Sequence, residues 1–271
     1  MRANLILKTL VLAAGLTAAG TGLVYAATPT TLDKIVQNGT IVVGTDASIR
    51  PLSFVDPTTG DVEGFVPDLV RLYAQKLGVK AKVMDIRWAG LFPALDTGKI
   101  DLVAANVTTT IPRTAKMDFI DPWLFTGASF LVKKDSSIQT QADLNSGSVT
   151  FGETKGSVYV DIVQKDFPKA KVLQFDTLAD YTQALLTGRI DAVVDDSLVI
   201  NLSALKGHES QLRVLPGTFM PQTYSFAVRI GDNSLSHSLD VFFRMIKLDG
   251  EYAAIYKKWM GSDWQPQTVG Y

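Results

Sequence analysis

The feature that most restricts how this chain can fold is an eight-residue phrase that occurs twice. Ala94-Leu95-Asp96-Thr97-Gly98-Lys99-Ile100-Asp101 returns as Ala184-Leu185-Leu186-Thr187-Gly188-Arg189-Ile190-Asp191, with six identities and one Lys-to-Arg exchange. Each copy reads as a helix end, a glycine suited to the left-handed residue that stops the helix, and a strand entered through an acid. Apolar periodicity around the copies alternates strand and helix. Strands are expected at 40–44, 81–86, 100–105, 129–132, 149–152, 171–175, 190–194 and 224–230. Helices are expected at 66–77, 91–96, 158–167, 178–186, 234–248 and 252–260. This order implies parallel α/β sheets, and the repeat implies two similar halves. Following each copy to the end of its strand leads to Asn106 in the first and Asp196 in the second. Ligands of open α/β sheets sit at that carboxyl edge, so two facing halves would form a cleft that closes by hinge motion.

The residues at those edges suggest what the cleft would hold. Asn106-Val107 runs into Thr108-Thr109-Thr110-Ile111-Pro112-Arg113, three hydroxyls and then a guanidinium. The planar N–H fork of arginine matches a carboxylate, binding both oxygens at once. The plainer reading makes Arg113 a surface cation and the threonines a cap for a helix begun by Pro112. Asp196 stands at the mirrored place, beside Asp195, and adjacent strand residues point to opposite faces. One of the two acids should therefore line the cleft while the other meets solvent. Asp196 suits an ammonium, although it equally suits an N-cap for a helix starting at Ser197. A ligand with a carboxylate for one half and an ammonium for the other is an amino acid. Lys155-Gly156-Ser157-Val158 lies between strand and helix, where backbone N–H groups favour anions. Trp88 offers an aromatic wall or a core residue in equal measure.

Other chemistries find less support. The chain has no cysteine, which removes disulfides, thiol catalysis and a lipid-modified N-terminal cysteine. His208 and His237 stand apart from any cluster of acids, so no metal and no cofactor is expected. Glu153, Asp46 and Asp196 are candidate acids for a catalyst, but no nucleophile–base pairing accompanies them, and no catalytic residue is assigned. Arg2 and Lys8 flank an apolar, small-residue stretch that ends in Val24-Tyr25-Ala26, the pattern of a secretory signal cut near Ala26. Its removal takes two cations and no acid from a chain of formal net charge −1. No basic stripe for nucleic acid is present.

Taken in order, the local motifs resemble those of the periplasmic amino-acid-binding proteins of ABC importers, solute-binding protein family 3, the type that includes histidine- and glutamine-binding proteins. The motifs are Val42-Val43-Gly44-Thr45-Asp46, Pro51-Leu52-Ser53-Phe54, Gly64-Phe65-Val66-Pro67-Asp68-Leu69 and Leu91-Phe92-Pro93-Ala94-Leu95, followed by Thr108 to Arg113, Asp118-Phe119-Ile120-Asp121-Pro122, and Ile255-Tyr256-Lys257-Lys258-Trp259-Met260-Gly261. The resemblance implies an α/β type II periplasmic-binding-protein fold, two lobes of parallel-rich sheet flanked by helices and joined by a two-strand hinge near 123–126 and 222–224. Lobe 1 would comprise 27–124 and 223–271, and lobe 2 would comprise 125–222. It further implies a carboxylate clamp of Arg113 and Thr108, completed by Ser157 and Val158. The ammonium would meet Asp196 and the backbone carbonyl of Asn106. Trp88 and Ile49 would wall the ligand, and Asp46 would face its side chain. The implied partners are a free amino acid and ABC transporter membrane subunits, with the protein a periplasmic monomer and not an enzyme. Ile49 where an aromatic is common, Leu52 for Phe, Val158 for Ser or Thr, and Ala89 for Asp leave the ligand's identity open. A dehydratase of prephenate-like acids on the same fold, or a binder of another carboxylate, remains the alternative.

Overall fold

The computed structural model describes residues 28–217 and 219–265; the expected signal segment and its cleavage point lie outside them. Two parallel sets of strands, each enclosed by helices, form the frame of the molecule. The first part of the chain runs α1 (Thr31–Asn38), β1 (Thr40–Thr45), the short strands β2 (Ser48–Ile49), β3 (Ser53–Val55) and β4 (Val62–Glu63), then α2 (Phe65–Leu77), β5 (Lys80–Asp85), α3 (Trp88–Asp96), β6 (Leu102–Thr108), α4 (Ile111–Thr114) and β7 (Met117–Phe119). The chain crosses on β8 (Leu124–Lys133) and continues through β9 (Thr150–Thr154), α5 (Val158–Asp166), β10 (Lys171–Phe175), α6 (Leu178–Leu186), β11 (Ala192–Asp196), α7 (Ser197–Val199) and β12 (Leu212–Val214). It returns on β13 (Pro221–Arg229) and ends in α8 (Asn233–Leu248) and α9 (Glu251–Met260).

The strand order β10-β9-β11-β8-β13-β6-β1-β5 shows how the two lobes join. Strands β5, β1 and β6 are parallel, as are β10, β9 and β11. The two long strands β8 and β13 run antiparallel to their neighbours and to each other, pairing Leu124 with Tyr224 through Gly127 with Pro221. Apolar alternation does not reveal strand direction, but the parallel-rich sheets and the two crossing strands near 123–126 and 222–224 that the resemblance implied are present. A chain that leaves one lobe and comes back must run in opposite senses at the join. Each half-sheet carries apolar side chains on both faces, giving four buried clusters. Helix α1 and the short strands β2, β3, β4, β7 and β12 escaped the sequence analysis. Helix α1 is started by Thr30, whose hydroxyl accepts from the Asp33 N–H while the Asp33 carboxylate accepts from the Thr30 N–H.

The repeated phrase does the same physical work in both lobes. Gly98 and Gly188 take φ of 72° and 74°, the left-handed stop the sequence suggested. Asp101 accepts the Val42 N–H at 2.9 Å, and Asp191 accepts the Thr150 N–H at 2.8 Å, each acid tying its strand to the neighbouring one. Ile100 and Ile190 fill space left by a glycine on that neighbour. A Cβ on Gly44 would stand 2.6 Å from Ile100 Cδ1, and one on Gly152 would overlap the δ-methyl of Ile190. Both isoleucines are essentially unexposed, so neither can swing away. Gly152→Ala should therefore overpack the second lobe and cost about 1–3 kcal/mol. Thermal melting should show a loss of roughly 2–4 °C per kcal/mol. Gly147→Ala, whose new methyl would meet nothing closer than 3.8 Å, should melt as the parent does.

Candidate functional site

The carboxyl ends of both half-sheets border one cleft with ≈ 500 Å³ of atom-free space, counted out to its open mouth. Asp46, Ile49, Trp88, Asn106, Thr108 and Arg113 line it from the first lobe, and Ser157, Val158 and Asp196 from the second. The structure thus places on one cleft every residue that the sequence analysis named for ligand binding. It also adds Ser48, Thr154, Tyr159, Thr177, Leu178 and Asp195. Hydrogen bonds from the first lobe reach the Gly156 carbonyl, from Trp88 Nε1 at 3.2 Å and from Arg113 at 3.4 Å, and the Ser203 hydroxyl donates to the Arg50 carbonyl. These contacts close the lobes on each other.

Arg113 is set by a short local device. Thr110 caps α4 by accepting the Arg113 N–H, and Pro112 supports the helix start. The guanidinium then folds back, donating to the Thr108 carbonyl at 2.9 Å. Its Cζ stands 5.2 Å from the Phe92 ring centroid and 6.0 Å from that of Trp88. Burial lowers its pKa to about 10, so it remains a cation at neutral pH. Two of its five N–H groups go to backbone carbonyls, which leaves donors for a bidentate acceptor.

Several expected roles look different at atomic detail. The Thr108 hydroxyl donates to Gln222 Oε1 at 2.8 Å, on the returning strand, so its proton does not point at a ligand carboxylate. Ser157 caps α5, its hydroxyl accepting the Tyr159 N–H and its own N–H donating to the Thr154 carbonyl. Val158 occupies the first helical position, where the helix itself offers its N–H no acceptor. Asp46 is buried, and its oxygens accept the Ser48 N–H at 3.1 Å and the Trp88 N–H at 2.8 Å. It thereby caps α3 from a distant loop, which places Trp88 inside the helix rather than ahead of it. Burial raises the Asp46 pKa.

The acid pair at the end of β11 is more enclosed than the sequence suggested. Asp195 is not a solvent-facing acid: it accepts the Tyr181 hydroxyl at 2.7 Å and the Asp196 N–H at 2.7 Å, and burial pushes its pKa up to about 6. Asp196 is 2% exposed and sits at the N-cap position of α7 without making a cap bond, which removes the capping alternative. Its Oδ1 has no hydrogen-bond partner among the described residues. Burial, and then the charge of Asp195, raise its pKa well above the usual carboxylate range.

Glu153, one of the candidate catalytic acids, does not line the cleft. It is buried inside the second lobe, where Oε1 accepts the Val194 N–H at 3.1 Å, and burial raises its pKa. A carboxyl whose folded pKa lies above its unfolded one destabilises the fold increasingly as pH rises past the unfolded value of about 4.3. Glu153→Gln keeps the acceptor and removes the charge. Its melting temperature should exceed the parent's by several degrees in mildly alkaline buffer, and the difference should shrink as the pH is lowered toward that unfolded value.

Residues 41–262 match the family described as bacterial extracellular solute-binding proteins, family 3. The chain belongs to this family. Among curated relatives, the ABC transporter glutamine-binding protein GlnH of Bacillus subtilis (strain 168) is 32% identical over 236 residues, covering 86% of this chain and 85% of the relative. The L-cystine-binding protein TcyJ of Escherichia coli (strain K12) is 31% identical over 234 residues, with 86% of each chain covered. Among solved structures, the ancestral amino acid-binding protein AncCDT-1, a precursor of cyclohexadienyl dehydratase, superimposes with a TM-score of 0.78 at 37% identity, over 85% of this chain and 99% of that one. This family 3 member thus has the type II binding-protein fold that its motifs suggested. No helix among its described residues is long and apolar enough to cross a membrane.

Proposed function

We propose that this protein captures a free α-amino acid between its lobes and presents it to the membrane subunits of an ABC importer. The observation that carries the reading is the 2% exposed Asp196 on the cleft, whose Oδ1 lacks a hydrogen-bond partner among the described residues, with the Arg113 cation on the opposite lobe. A buried charge without a partner is strongly unfavourable, and a zwitterion supplies one partner to each side. The ligand carboxylate would lie on the Arg113 fork and the free N–H at the start of α5, and its ammonium on Asp196. Glutamine and cystine, the ligands named for the relatives, share this backbone. Lobe 1 is assigned to 27–124 and 223–271 and lobe 2 to 125–222, with the β8–β13 crossing as hinge. A periplasmic location after cleavage near Ala26 fits an extracellular solute-binding family.

A binding role without catalysis is supported by the acids. Glu153 is walled off from the cleft, and both Asp46 oxygens accept backbone N–H groups. The experiment is calorimetry of the mature protein against the twenty amino acids and against prephenate. Saturable binding of one or a few amino acids, with prephenate left chemically unchanged, is expected. Conversion of prephenate would move the dehydratase reading to the front.

A further inference from the structure

The turn that leads into α5 is held from across the cleft. Within the turn, the Ser157 N–H donates to the Thr154 carbonyl at 3.0 Å, and Gly156 takes φ of 79°, a setting suited to glycine at the third position. The Gly156 carbonyl accepts two donors from the first lobe, Trp88 Nε1 at 3.2 Å and Arg113 at 3.4 Å. Trp88 is a donor prepared in advance. Its backbone N–H is fixed on Asp46 at 2.8 Å, and its ring packs T-shaped on Phe92 with centroids 5.8 Å apart. A Cβ on Gly156 would come within 3.9 Å of both Ala89 and Trp88, so the turn lies directly against the start of α3. A phenyl or leucyl side chain would wall a ligand without supplying an N–H. The indole N–H is engaged with the protein rather than left for the ligand.

Resting on the amino-acid reading above, we infer that Trp88 is a positioning residue for the ligand carboxylate, its indole N–H holding the Gly156 turn that presents the free N–H at the start of α5. A peptide unit is planar, so anchoring the Gly156 oxygen also fixes the direction of the Ser157 N–H and the entry into α5. The next residue, Val158, carries the N–H for which the helix has no acceptor. A carbonyl oxygen has two lone pairs, so it can hold Trp88 whether or not Arg113 turns its fork toward a ligand. Trp88 and Gly156 stand on separate lobes, so closure makes this bond and opening breaks it. Its effect therefore falls on escape of the ligand from the closed form rather than on encounter.

The test replaces Trp88 in the mature protein with benzothienylalanine, which keeps the shape of the indole and puts sulfur where the N–H was. Calorimetry with L-glutamine and L-arginine first establishes what the parent binds. The analogue should keep the parent's association rate and unliganded melting temperature, and its dissociation rate should rise roughly three- to tenfold. The factor should be the same for each ligand bound. Trp88→Phe should raise the dissociation rate at least as much. A residue that only walls the ligand would leave the analogue at the parent's rate, because the ring face is kept. In nitrogen-15 NMR, the Trp88 indole signal, assigned by its loss in the analogue, should exchange with water slowly in the complex and quickly without ligand. An unchanged dissociation rate in the analogue, or an indole signal that ligand does not alter, overturns the inference while leaving amino-acid binding intact. If the parent binds no amino acid at all, the ligand reading falls first and this inference falls with it.

Discussion

Arg113→Ala is expected to reduce amino-acid affinity by two to nearly four orders of magnitude, measured by calorimetry on the mature protein. The guanidinium is the side-chain cation that lines the cleft, held in place by the Thr108 and Gly156 carbonyls and by the Phe92 ring. Its removal leaves the ligand carboxylate enclosed with only the N–H groups at the start of α5. Breaking a buried pair in this way costs about 3–5 kcal/mol. Arg113→Lys keeps the charge and loses the planar fork, so its affinity should fall between the two. Stability of the unliganded protein should change little, because burial already disfavours this cation, as its lowered pKa shows.

Asp196→Asn should be comparably damaging and should also change how binding depends on pH. In the unliganded cleft, burial and the neighbouring Asp195 hold the Asp196 pKa well above normal. The groups facing it are Asp195 on its own strand, Tyr159 from α5, Tyr224 from β13 and Arg113 from α4. Tyr181 and Glu153 interact with Asp195 behind it. A ligand ammonium favours the ionised carboxylate, so Asp196 holds its proton less tightly in the complex than in the empty cleft. Binding therefore releases a proton, and affinity falls as pH falls through the raised pKa. Titrations in phosphate and in Tris, whose ionisation heats differ greatly, should report that proton in the parent and none in Asp196→Asn. Equal binding enthalpies in the two buffers for the parent would remove the proton from the account.

Local sequence carried the frame and one side of each site contact. The repeated phrase located the paired left-handed glycines, whose job depends on residues a few positions apart, while the partners of Asp101 and Asp191 lie 59 and 41 positions away and were not legible. The cleft positions of Arg113 and Asp196 were legible for a related reason: both lie at the carboxyl edges of strands, Asp196 as the last residue of β11 and Arg113 shortly after β6. What escaped depends on contacts between distant segments. Tyr159 looks like one more apolar residue of α5, and nothing nearby in the sequence indicates that it lines the cleft. The solvent-facing role expected of Asp195 failed because Tyr181 arrives from α6 to cover it. Glu153 looked available as a catalyst, but its strand turns it into the second lobe's core. The crossing pair β8 and β13 could not be oriented from periodicity, which carries no direction. Alternation of polar and apolar residues records which face is buried, not which partner fills it.

Whether the cleft requires both charges of one ligand is decided by altering the ligand rather than the protein. Once a binding amino acid has been identified, its affinity should be compared calorimetrically with those of its methyl ester and its 2-hydroxy acid analogue. The ester removes the charge meant for Arg113, and the hydroxy acid removes the one meant for Asp196. Each change should weaken binding at least a hundredfold, consistent with a loss of about 3–5 kcal/mol for a broken buried pair. A hydroxy acid bound as tightly as its amino acid would contradict it.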